Sequence, residues 1–129
     1  TLGMQNDTKG KVTMKYNPIL ISGRPGSGKT ELIIALCNMH PSTTLLIAEE
    51  YDENYIRNRG LNSLVKVICA KEAANLSDYG CDTICIDYIE LIKKPILDAI
   101  IDKAKHQNIR VIAVTQMRQN YQFNNPFVL

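Results

Sequence analysis

The run Gly23-Arg-Pro-Gly-Ser-Gly-Lys-Thr30 fills the spacing G-x-x-x-x-G-K-[ST] at every fixed position. That spacing has a chemical purpose. A chain of phosphates can be wrapped by backbone N–H groups only where few side chains stand in the way, so glycines at 23, 26 and 28 let the loop curl around it. Lys29 supplies positive charge for the outer phosphates, and the Thr30 hydroxyl is placed to reach Mg²⁺. The binding set read from this pattern is Gly23, Arg24, Pro25, Gly26, Ser27, Gly28, Lys29 and Thr30, with ATP or GTP as the ligand. A second segment, Thr83-Ile-Cys-Ile-Asp87, ends an apolar run in a carboxylate of the kind that holds Mg²⁺ beside phosphates, so the metal is expected at Thr30 and Asp87. Glu49 and Glu50 follow another apolar run, and one of them could orient and deprotonate an attacking water. On spacing alone the pair reads better as a solvated turn with acids at a helix N-terminus. Gln116 ends a third run with an uncharged amide, a sensor for the γ-phosphate or an ordinary loop residue.

Elements must bring these residues together, and the pattern supplies them. A strand is expected from about Ile19 to Ser22, then a helix from Lys29 to near Met39 whose positive dipole end faces the phosphates and which Pro41 stops. Further strands are expected from Thr44 to Ala48, Val65 to Cys69, Thr83 to Asp87 and Arg110 to Thr115. Between them, Asp52 reads as the N-cap of a short helix through Arg59 that Gly60 ends, and another short helix runs from Lys71 to about Asp78. Pro95 opens the last helix, with Ile96, Leu97, Ile100, Ile101 and Ala104 at helical spacing. The strands are continuous apolar runs rather than alternating ones, which is the signature of a parallel sheet covered on both faces. The fold expected is doubly wound α/β.

A chain of 129 residues is large enough for one such domain and little more. The core is placed at residues 18–119, between an N-terminal extension (1–17) and a C-terminal tail (120–129), with Thr1-Leu2-Gly3 ahead of Met4 read as an expression remnant. A formal charge of +2 marks no dedicated nucleic-acid surface. No apolar run approaches the roughly 20 residues of a membrane span and no signal pattern opens the chain, so no membrane partner is expected, and a cytoplasmic location is: bacterial, or host cytoplasm for a viral protein. Cys69 and Cys85 fall in strand-like runs and Cys37 on the apolar side of a helix, where thiols pack as small hydrophobes. Cys81 and Cys85 lack companions for a zinc site, and no disulfide is expected.

Four segments together resemble a known family: GRPGSGKT at 23–30, AEE at 48–50, ICIDYIELI at 84–92 and VIAVTQMRQ at 111–119. They look like the RecA-like ATPases, most of all the motor domain of DnaB-type replicative helicases, in which an Arg-Pro within the loop, an Asp-Tyr pair and a Gln followed by Arg are typical. Residues 48–60 also resemble the stretch after the second strand of RecA recombinases. The resemblance implies a P-loop NTPase three-layer sandwich with a parallel five-stranded sheet in the order 3-2-4-5-1. It gives Lys29 and Thr30 the phosphate and Mg²⁺ roles, Glu49 the catalytic carboxylate with Glu50 as its competitor, Asp87 the metal role and Gln116 the γ-phosphate sensor. It implies ATP and Mg²⁺ as cofactors, single-stranded DNA as a partner, and a homo-oligomer, hexameric in the family, or a replication partner. Tyr88, where an acid would stand in AAA+ proteins, speaks against that branch. Beyond Arg118 nothing is assignable as an arginine finger, so hydrolysis by the isolated domain is expected to be slow. Two other readings stay open: a nucleotide-gated binding module without turnover, and a small P-loop kinase, against which stands the lack of an Arg-bearing lid after the P-loop helix.

Overall fold

Runs of Ile, Leu, Val and Thr become strands here because each is flanked by a turn or helix that lets both of its faces be covered. The computed structural model describes residues 16–23, 28–115 and 125–128, the last four by their backbone alone. In chain order the elements are β1 (Ile19–Ser22), α1 (Lys29–Met39), β2 (Thr44–Ile47), α2 (Glu53–Asn58), β3 (Lys66–Ile68), α3 (Ala70–Asn75), β4 (Thr83–Ile86), α4 (Lys94–His106), β5 (Arg110–Thr115) and β6 (Asn125–Val128). Short 3₁₀ turns at Pro41–Thr43 and Ile89–Leu91 were not foreseen.

All strand pairs are parallel, and the sheet runs β3-β2-β4-β5-β1-β6. The expected order 3-2-4-5-1 is therefore present. One strand more extends it: β6 pairs with β1 at the sheet edge, in the segment read from sequence as a tail. Its Pro126 has no N–H to give to a ladder, which an edge strand tolerates and a central strand would not.

Successive side chains of a strand point to opposite faces, and the core divides accordingly. Leu45 and Ile47 of β2 enter one cluster with Leu97, Ile100 and Ala104 of α4, while Leu46 enters the other with Ile33, Ile34 and Cys37 of α1 and Ile56 of α2. The molecule is thus a three-layer P-loop NTPase sandwich. Asp52 caps α2 as expected, accepting from the Asn54 N–H at 2.9 Å, and Gly60 ends it at φ 111°, a left-handed conformation that suits glycine. α3 is shorter than expected. It ends at Asn75, where the Lys103 ammonium of α4 binds the oxygens of Ala74 in its last turn and of Leu76 just beyond it. Cys37 and Cys85 are buried, but Cys69, expected inside a strand, is exposed as the N-cap of α3.

The register puts Ile47 opposite Ile86 and Ser22 opposite Thr115. In consequence the chain leaves β1, β2, β4 and β5 at one edge of the sheet, the carboxyl edge at which open α/β folds bind ligands. Among the described residues no helix is long and apolar enough to cross a membrane.

Candidate phosphate-binding site

The loop after β1 is anchored at both ends. Gly23 donates its N–H to the Thr115 carbonyl at 3.2 Å, tying the start of the loop to the end of β5. Gly28 closes it at φ 90°, where a side chain would be strained, and its carbonyl accepts the first helical bond, from the Leu32 N–H at 3.0 Å. Lys29 extends its ammonium back across the opening to the Gly23 carbonyl at 2.9 Å. Arg24, Pro25, Gly26 and Ser27, between these anchors, lie outside the described residues.

Asp87 follows β4 and is 5% exposed. Its carboxylate accepts the Glu49 N–H at 2.9 and 3.0 Å, the Glu50 N–H at 3.0 Å and the Tyr51 N–H at 3.4 Å, so it holds the chain that leaves β2. Burial pushes its pKa up to about 6; the three N–H groups pull the other way, and the nearby Glu50 adds to the rise. From its place at the end of an apolar run, Asp87 is expected to serve a metal alone. Its second task arises because strand order sets β2 beside β4, a neighbour no local pattern reveals.

Glu49 and Glu50 part company at this turn. The Glu49 carboxylate accepts the Ala70 N–H at 2.7 Å, satisfying a donor at the start of α3. Glu50 instead lines a cavity of about 290 Å³ together with Gly28, Lys29, Thr30 and Asp87. The structure thus brings Lys29, Thr30, Asp87 and Glu50 to one place and turns Glu49 toward α3. Gln116 lies outside the described residues. Its predecessor Thr115 is buried, and the Thr115 hydroxyl donates to the Glu90 carboxylate, joining the end of β5 to the turn after Asp87.

The far wall of the cavity went unnoticed in the sequence. Tyr51, Tyr55 and Arg59 line it, along with Glu31 of α1. The Tyr51 hydroxyl lies 2.8 Å from the Thr30 hydroxyl, and its ring stacks on that of Tyr55 with centroids 5.0 Å apart. Arg59 sits over Tyr55 at 5.6 Å and forms an ion pair with Glu31. Only Tyr55 lies within α2: Tyr51 precedes its N-cap Asp52 and Arg59 is its C-cap, so no helical spacing in the sequence signals that the three meet.

Glycine backbone, an ammonium and a helix N-terminus fit a phosphate chain, and the Thr30 hydroxyl with the Asp87 carboxylate fits a hard cation that prefers oxygen and keeps several waters. Among the described residues no group of three or more His, Cys, Asp or Glu side chains could hold a metal ion by itself, so a cation here would depend on phosphate and water for its remaining ligands. The family model for the viral superfamily 1 RNA helicase core domain matches residues 19–125. No curated protein matches the chain.

Proposed function

We propose, because this chain belongs to the viral superfamily 1 RNA helicase core domain family, that it binds ATP with Mg²⁺ and hydrolyses it in concert with a single-stranded nucleic acid. The observation that carries the reading is the single cavity lined by Gly28, Lys29, Thr30, Glu50 and Asp87 at the carboxyl edge of the sheet. Lys29 exchanges its bond to the Gly23 carbonyl for the outer phosphates, a stronger, charge-assisted contact. Thr30 and Asp87 are the residues that would hold Mg²⁺, which when bound offsets charge on the phosphates. Glu50 faces the cavity and takes the proton of the attacking water; Glu49, expected from resemblance to do so, is occupied with Ala70. Water adds to the terminal phosphorus, the bond to the bridging oxygen breaks, and ADP and phosphate leave. Gln116 follows the anchored end of β5 and serves as the γ-phosphate sensor.

The family description supports RNA as the strand. The DnaB-type likeness, carried by Arg24-Pro25 and Asp87-Tyr88, supports instead single-stranded DNA, a hexameric ring and a place in replication. One set of measurements separates these readings. Mg-ATP at a hundredfold its Kd should stabilise the protein by about 2.7 kcal/mol, seen as a rise in Tm, and Lys29→Ala should lose most of that rise. Turnover should then increase with single-stranded RNA more than with DNA; the reverse order favours the DnaB-type reading, and binding without turnover under either strand favours a nucleotide-gated module. Equal thermal shifts for wild type and Lys29→Ala would remove the reading altogether.

A further inference from the structure

Arg59 is the one cavity-lining cation, among the described residues, that comes from outside the loop and its helix. It stands at the end of α2, and a chain of contacts places it. Its guanidinium pairs with Glu31, it lies over the Tyr55 ring, and Tyr55 in turn stacks on Tyr51, whose hydroxyl meets Thr30. These contacts leave α1 at Thr30 and return to it at Glu31, one residue further on. The side chain is 42% exposed and that of Glu31 58%, and ion pairs so open to water contribute little to stability. A planar fork of donors that faces a phosphate-sized cavity from a weakly held carboxylate is well suited to change partners.

We propose that Arg59 is a phosphate-contacting residue of this site, resting on Glu31 when no nucleotide is present and transferring to the terminal phosphate when one enters. The proposal rests on the nucleotide reading given above. It supplies within one chain the second cation that phosphoryl transfer requires around the charge that grows on the terminal phosphate, alongside Lys29. The Tyr51–Tyr55 stack restricts where the guanidinium can travel, since Tyr51 is held to the first turn of α1 through Thr30 and Tyr55 stacks on Tyr51. Gly60, directly after Arg59 and at φ 111°, fixes the exit of α2 and so the base from which the side chain reaches.

A contact to the terminal phosphate favours a triphosphate over a diphosphate, and that preference is the readout. Titration calorimetry with Mg²⁺ would compare ADP with an imido analogue of ATP that hydrolyses slowly. In Arg59→Ala the preference for the analogue should fall by at least about tenfold, the scale of one charge-assisted contact, with ADP affinity held within about twofold. Arg59→Lys should recover part of it, because charge returns without the fork. Glu31→Gln leaves Arg59 in place but removes its resting partner, so the analogue should bind more tightly; it decides the matter alone if Arg59→Ala fails to fold. A preference in Arg59→Ala within about twofold of the wild type, while Lys29→Ala abolishes binding of both nucleotides, overturns the proposal and leaves the phosphate site standing. If wild type and Lys29→Ala bind neither nucleotide, the site and the role of Arg59 fall together.

Discussion

Two adjacent glutamates show how far single residues can be read from sequence. Their types and their place after β2 announced a carboxylate near the phosphates, but which of the two faces the cavity depends on the phase of one turn. That phase is set by Asp87 gripping three successive N–H groups and by the Ala70 N–H drawing Glu49 away, and both partners are distant in sequence. Glu50→Gln should therefore lower steady-state ATP turnover by about 10²-fold or more, the scale of a lost general base, with nucleotide affinity kept. Glu49→Gln should act mainly on stability, through its weakened bond to Ala70. A turnover loss confined to Glu49→Gln would return the base to the position implied by the RecA-like resemblance. Lys29 and Thr30, by contrast, line the cavity where the loop motif leads one to look, because that motif fixes their positions locally. Asp87 gives a pH dependence whose sign is definite. Its pKa is raised from the ordinary carboxylate range to about 6, so the folded state binds the proton more tightly than the unfolded state does. Its contribution is most favourable below about pH 4 and declines as pH rises toward 6, by about 3 kcal/mol in all. Urea denaturation with chelator present, from pH 4 to 7, should show this component in the wild type and lose it in Asp87→Asn.

At the scale of elements, most strands and helices were legible because their causes are local: apolar runs, Asp52 as a cap, Gly60 as a stop, Pro41 after α1. The elements misread have partners elsewhere. α3 ends where Lys103 of α4 meets its carbonyls, and β6 forms only because β1 offers it an edge, since Asn125-Pro126-Phe127-Val128 carries no strand pattern of its own. Ile100 tests whether the helical layers can be disturbed independently of the site. It is fully buried on α4, in the cluster that includes Leu45, Ile47 and Ile86, on the opposite face of the sheet from α1. Ile100→Ala should cost about 2–5 kcal/mol of unfolding free energy. Nucleotide affinity measured well below the lowered Tm should stay unchanged, and a parallel loss of affinity would mean that the two layers are coupled through the sheet.

Over the whole molecule, the strand order was the most informative expectation, because it places the exits of β1, β2, β4 and β5 on one edge before any side chain is considered. The composition could say nothing of a nucleic-acid partner, since a net charge of +2 marks no basic surface; the strand partner rests on family membership and awaits the RNA and DNA comparison. The grip of Asp87 on Glu49, Glu50 and Tyr51 has one more consequence. Amides in an irregular turn ordinarily trade their hydrogens with solvent quickly, yet these three are bonded to a buried carboxylate and should trade slowly, as strand amides do. Their isotope exchange is therefore a clock attached to Asp87. In Asp87→Asn the three should speed up together while the amides of β2 keep their pace, and any cation that draws the carboxylate toward the cavity should be timed by the same three hydrogens.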